Sequence, residues 1–278
     1  MGRLLDYCLS FDRIPLDPKE LPLTPFWYSA LAFHPSAHVC VFIYLYNNCV
    51  GIEDDDCENY LIGDRVLSMC ASDTRIYTGV SGTNVVSGYN WEGESEGVIG
   101  PRFTADVTAL AATRAGDTVL VAGAEDFTVK VINTSSFTTV SLEPGHAAPV
   151  LSVDITNTGD TVVSSSCDGS VKVWSVSNKS VITTLDNVHP KSNDVPNSST
   201  VCGLKFSPNG EYLAVPKGKS VLLLEKKKDW KQSSSCNIDL ADGEVVTCVE
   251  WDNSESGPSY LIAATNKVRN KILNHALH

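Results

Sequence analysis

Residues 145–174 read GHAAPVLSVDITNTGDTVVSSSCDGSVKVW. Val150–Ile155 alternates apolar residues with small or polar ones, as a half-buried strand does. Asn157-Thr158-Gly159-Asp160 is a turn cluster. Thr161–Ser166 is the next strand, and Cys167-Asp168-Gly169-Ser170 carries the Asp-Gly pair of a tight hairpin. A third strand contains Val171 and Val173 and closes on Trp174. Four side chains of this meander, His146, Ser164, Asp168 and Trp174, offer an imidazole, a hydroxyl, a carboxylate and an indole N–H. These groups can satisfy one another within a sheet, and a buried polar set is tolerable only when all its members are paired.

Weaker versions of the unit recur at similar intervals. Upstream, residues 107–113, 118–122 and 129–132 alternate in the same way, with Asp126 at the turn. There Phe103 stands near the histidine position, Ala122 replaces the serine and Ile132 the tryptophan, so apolar packing must hold that unit. Residues 66–71, 75–80 and 84–90 make an earlier one. Residues 201–206, 211–215 and 220–225 make a later one around Phe206-Ser207-Pro208-Asn209-Gly210, whose Pro and Gly supply turn angles. A last unit begins at Val245, with strands expected over 245–251 and 260–265. A Gly-His to Trp unit repeating about every 40–45 residues resembles the WD repeat, each copy of which builds one four-stranded propeller blade. The expected fold is all-β: an incomplete WD40-type propeller of about five blades, against an expected seven. Closing seven blades takes about 300 residues, and an open ring exposes strand edges, so an incomplete product is expected.

His146, Ser164 and Asp168 also invite a hydrolase reading. A triad needs an exposed nucleophile beside an oxyanion hole. Ser164 instead sits mid-strand without the G-x-S-x-G turn that presents a nucleophile, and Trp174, in register, accounts for the same residues as structure. No catalytic, cofactor-binding or metal-ligating residue is therefore assigned, and no cofactor is expected.

Composition narrows the function further. The 278 residues carry a formal net charge of -12, and 42% are hydrophobic, ample for a core. An acidic balance argues against nucleic-acid binding by this segment, which normally needs a basic face. The basic run Lys226-Lys227-Lys228, with Lys231, reads as a solvated strand-end loop. Nine cysteines are scattered without a C-x-x-C pair, which argues against a zinc site and suits a reducing compartment. Three Asn-x-Ser triplets, at Asn133, Asn178 and Asn197, are of a kind common by chance.

The ends read differently. Residues 1–48 form an atypical, irregular segment with Pro15, Pro18, Pro22 and Pro25 at short intervals, and from Leu21 to Ile52 no side chain is charged if histidine is neutral. The most apolar window, 27–46, is interrupted by Pro35, His34 and His38, so a buried strand, or an aberrant N-terminus from alternative splicing or an incorrect gene model, is favoured over a membrane anchor. Glu53-Asp54-Asp55-Asp56, with Glu58, lacks the spacing of an EF-hand loop and reads as a linker between blades. The blades are placed at 49–266 and a C-terminal tail, helical or frayed, at 267–278.

Several segments are more specific than the Gly-His to Trp core. They are Arg102-Phe103-Thr104, Asp126-Phe127-Thr128-Val129-Lys130-Val131, Gly145 to Ser152, Ser166 to Trp174, and Leu213-Ala214-Val215-Pro216 followed by Lys219-Ser220-Val221. Together they resemble the N-terminal propeller of the acidic nucleoplasmic DNA-binding protein family, over residues 49 to 266. That family comprises the WD-repeat and HMG-box proteins of animals and the chromosome transmission fidelity hub of yeast. The resemblance implies a nuclear, non-catalytic replisome adaptor that joins the replicative helicase to DNA polymerase α and acts in sister-chromatid cohesion. The family trimerises through a second propeller, and its animal members contact DNA through an HMG box. Neither part matches this sequence, so neither property is carried over. Direct DNA or membrane binding by this chain is not expected. The alternative is a generic WD40 scaffold of a ubiquitin ligase, RNA-processing or trafficking complex.

Overall fold

The computed structural model describes residues 28–33, 40–44, 49–53, 58–61, 66–90, 94–113, 119–188, 203–251, 261–265 and 270–273. They form six antiparallel sheets. The first contains β1 (Tyr28–Phe33), β2 (Cys40–Tyr44), β3 (Cys49–Glu53) and β4 (Glu58–Leu61). The second contains β5 (Val66–Ala71), β6 (Arg75–Val80), β7 (Val86–Asn90) and β8 (Ser95–Ile99), and the third β9 (Val107–Ala112), β10 (Val119–Ala124), β11 (Val129–Asn133) and β12 (Thr139–Ser141). The fourth, built by the repeat at 145–174, contains β13 (Val150–Ile155), β14 (Thr161–Ser166), β15 (Val171–Ser175) and β16 (Ser180–Leu185). The fifth contains β17 (Lys205–Phe206), β18 (Tyr212–Lys217), β19 (Ser220–Glu225) and β20 (Lys231–Asn237), and the sixth β21 (Val246–Trp251), β22 (Leu261–Thr265) and β23 (Asn270–Leu273). Each sheet is a simple meander, its strands adjacent in chain order.

The first strands of successive sheets, β1, β5, β9, β13, β17 and β21, lie beside one another, so the sheets radiate from a common inner side. Neighbouring sheets pack face to face. Val163, Val171 and Val173 of the fourth meet Leu213, Val215, Leu222 and Leu224 of the fifth. On its other face, Val150, Val153, Val162 and Trp174 meet Ala109, Ala111, Val121 and Val129 of the third. Every residue of β14 is consequently buried. A middle strand covered on both sides has no polar face to show, which is why its sequence lacks strict alternation. Each buried Val or Leu contributes about 1.5–3 kcal/mol.

Polar links join the inner strands. Ser68 donates to the Val107 carbonyl at 3.0 Å and Thr108 to that of Val150 at 2.7 Å. Asp154, itself buried, accepts the Phe206 N–H at 2.8 Å and the Lys205 ammonium at 3.1 Å. The Gly203 N–H donates to Thr247 O at 2.8 Å.

Three expectations need correction. Among the described residues six sheets are present instead of about five, because Tyr28–Phe33 and Cys40–Tyr44, inside the apolar window for which a buried strand is favoured, supply β1 and β2. The boundary drawn at 48 falls between β2 and β3, which pair directly from Cys40↔Glu53 to Tyr44↔Cys49. Asp54, Asp55 and Asp56 of the acidic run lie outside the described residues. The tail read as helical or frayed contains β23, paired with β22 from Leu261↔Leu273 to Ala264↔Asn270. Its four residues are too short to display a period. The prolines at 15–25 and the triplet at Asn197 lie outside the described residues. No helix among the described residues is long and apolar enough to cross a membrane.

Candidate functional site

The fourth sheet brings His146, Ser164, Asp168 and Trp174 together. Val162 pairs with Trp174 across β14 and β15, so the indole lies on the same face as Ser164, two residues along β14. Trp174 Nε1–H donates to Ser164 Oγ at 2.8 Å. Ser164 Oγ lies 2.7 Å from His146 Nε2, and His146 Nδ1 lies 3.1 Å from Asp168 Oδ2. With the imidazole hydrogen on Nδ1, facing the carboxylate, every proton in this chain has an acceptor. Trp174 and Ser164 are fully buried and His146 is 7% exposed. The imidazole meets the indole edge-on, with ring centroids 6.0 Å apart.

Asp168 organises the turn as well. It accepts the Ala147 N–H at 2.9 Å, the Ser170 N–H at 2.8 Å and the Ser170 hydroxyl at 2.6 Å. Burial pushes its carboxyl up, but the hydrogen bonds from His146, Ser170 and Ala147 outweigh that and hold it below the usual carboxylate range. The participation of Ser170 and Ala147 was not anticipated. A Ser or Thr two residues after the turn aspartate is the signal that could have found the first, since such side chains close local turns.

The third sheet shows what replaces the quartet. Phe103, Ala122 and Ile132 share one apolar cluster and are buried, Ala122 and Ile132 completely. The turn aspartate survives with new partners. Asp126 accepts the Thr104 hydroxyl, the Thr128 hydroxyl at 2.6 Å and the Thr128 N–H at 3.2 Å. One seam back, Asp106 accepts the Ser81 hydroxyl at 3.1 Å and the Gly82 N–H at 2.7 Å. A row of turns is thus tied together by aspartates.

The distances from Ser164 to His146 to Asp168 are also those of a hydrolytic triad. What differs is access. Ser164 Oγ is buried and already accepts the indole proton, whereas a nucleophile must reach a substrate. The basic run is neutralised locally: Lys226 lies 3.2 Å from Asp160, Lys228 2.7 Å from Glu225 and Lys227 3.8 Å from Glu211. Among the described residues no group of three His, Cys, Asp or Glu side chains is placed to hold a metal ion.

Radiating antiparallel meanders, packed face to face with their neighbours and one carrying a His-Ser-Asp-Trp network, define a WD40-type β-propeller. The family profile described as "WDHD1 first WD40 domain" matches residues 40–275, and the chain belongs to that family. It is 33% identical over 205 residues to the mouse (Mus musculus) WD repeat and HMG-box DNA-binding protein 1, covering 72% of this chain and 18% of that protein. The Xenopus laevis protein of the same name is 32% identical over 176 residues, 63% of this chain and 15% of the relative. The human (Homo sapiens) protein is 30% identical over 204 residues, 72% of this chain and 17% of the relative. The chain thus spans less than a fifth of the length of the relatives it matches.

Proposed function

We propose that this chain is a non-catalytic protein-interaction scaffold that works in the nucleus, as the propeller part of a replication adaptor. By this reading it helps to link the replicative helicase to DNA polymerase α during DNA replication and sister-chromatid cohesion. The observation that carries the non-catalytic part is Ser164: it is fully buried and hydrogen-bonded on both sides, to His146 and to Trp174. Such a hydroxyl serves the sheet and has no path to a substrate. The replication part is supported by membership of the family and by its relatives, which are named as DNA-binding proteins. Direct DNA contact through this segment is disfavoured by its net charge of -12 and by the pairing of Lys226 and Lys228 with carboxylates.

The test is affinity capture from nuclear extract with the purified chain, read by mass spectrometry. Recovery of helicase or polymerase α subunits is expected. Consistent recovery of ubiquitin-ligase, RNA-processing or coat components in their place would move the scaffold to another complex. A hydrolase activity that disappears in Ser164→Ala while the fold stays intact would overturn the non-catalytic reading.

A further inference from the structure

The turn between β10 and β11 holds Phe127 at φ 70°. The matching turn of the fourth sheet holds Gly169 at φ 83°. The two turns close the same hydrogen bond, Phe127 N–H to Ala124 O at 3.2 Å and Gly169 N–H to Ser166 O at 3.0 Å. This left-handed conformation suits glycine and is costly for a side chain with a Cβ. Packing does not offset that cost, because Phe127 is 41% exposed. The segment leading into β13 runs past it, with the His146 N–H donating to Phe127 O at 3.0 Å. That segment adds exposed Pro144 and Ala147 to the apolar surface.

Carboxylates surround this surface. Glu125 lies two residues before Phe127, and Glu143 lies next to Leu142, whose N–H donates to Val129 O at 2.9 Å. No ion pair engages Glu125 or Glu143 among the described residues. Asp126 and Asp168 complete the set. Burial pushes both up, but hydrogen bonds hold both below the ordinary carboxylate range, so both stay ionised. Of the nearby cations, Lys172 donates to the Pro144 and Gly145 carbonyls at 3.2 and 2.7 Å. Lys130 lies over the Phe103 ring, 4.2 Å from its centroid, which leaves exposed Arg102 and exposed Lys179, whose carbonyl accepts the Glu143 N–H at 3.3 Å.

We propose that the Phe127 turn is the anchor of a docking surface for an arginine-rich extended segment of a partner protein. One guanidinium lies on the exposed ring and others meet Glu125 and Glu143. The inference rests on the scaffold reading above and names the chemistry of its partner. Arginine is favoured over lysine because its planar cation both stacks on an aromatic face and pairs with a carboxylate in a two-pronged way. The same carboxylates repel acidic peptides and nucleic acid.

The test is fluorescence polarisation on the whole chain. The probes are a short fluorescein-labelled Arg/Ser peptide and its Lys/Ser and Glu/Ser counterparts of equal length. The Arg peptide is expected to bind best, with affinity falling as salt rises. Phe127→Gly is expected to weaken it by about ten-fold or more while the melting temperature stays the same or rises. Phe127→Asn, which also tolerates this backbone, gives the same loss, and the Glu125→Gln/Glu143→Gln double variant flattens the salt dependence. Unchanged binding by Phe127→Gly and Phe127→Asn, or equal binding of the Glu peptide, overturns the site. If those variants still capture replication proteins normally while no peptide binds, this site falls and the scaffold reading stands. If the Arg peptide binds through Phe127 but no replication protein is captured, the site stands and the replication reading falls.

Discussion

Ser164 Oγ accepts the indole N–H of Trp174 at 2.8 Å while facing His146 Nε2 at 2.7 Å, so one buried hydroxyl joins two strands of its sheet to the segment that enters it. The loss of that oxygen strands a donor on one side and an acceptor on the other. Ser164→Ala is expected to cost roughly 2–4 kcal/mol, since each unpaired buried polar group costs about 1–3 kcal/mol. Urea denaturation followed by tryptophan fluorescence reads this directly. A loss below half a kcal/mol, on the order of a surface substitution, would show that the network does not hold the sheet.

The opposite change at the matching position of the third sheet should also destabilise. Ala122 is fully buried among Phe103, Leu120 and Ile132. Ala122→Ser puts a hydroxyl there without the imidazole and indole that Ser164 enjoys. The expected cost is about 1–3 kcal/mol, measured in the same denaturation experiment. A neutral result would mean that the cluster admits a partner for the hydroxyl.

Asp168 gives a pH signature. Its carboxyl is held below the ordinary range in the folded chain. Its stabilisation is therefore fully present above the unfolded pKa of about 3.9 and is lost as pH falls from there toward the lower folded value. At neutral pH, Asp168→Asn is expected to be less stable than the parent, and the gap should narrow once the pH drops below about 4. A gap that stays constant through that window in thermal melts would contradict the ionised role.

Gly123 tests the seam between the third and fourth sheets. A Cβ there would lie 2.4 Å from Val150 Cγ1 and 3.0 Å from Val153 Cγ1. Both valines belong to the first strand of the neighbouring sheet, so the inter-sheet spacing must give. Gly123→Ala is expected to cost about 1–3 kcal/mol. Equal or greater stability, measured by calorimetry, would show that the seam has room.

Where the meander was strong, the fold was readable residue by residue. Val150–Ile155 and Thr161–Ser166 occur as expected, because alternation, turn chemistry and the Asp-Gly hairpin all act within a few neighbours. The degenerate third sheet was also legible, since Phe103, Ala122 and Ile132 differ together from His146, Ser164 and Trp174. Strand β23 was not. Its four residues carry too little periodic signal, and only pairing with β22 makes them a strand.

Local chemistry, held within about thirty consecutive residues, determined the class of fold, the position of the turns and the identity of the four polar side chains that could pair. Only the folded arrangement decided which hydroxyl is sealed from water, which aspartates take Thr104 or Ala147 as a partner from the preceding segment, and that an aromatic ring occupies a glycine position facing solvent. Those outcomes depend on how one sheet lies against the next. That relation is set by long-range packing, and a stretch of sequence read by its neighbours does not contain it.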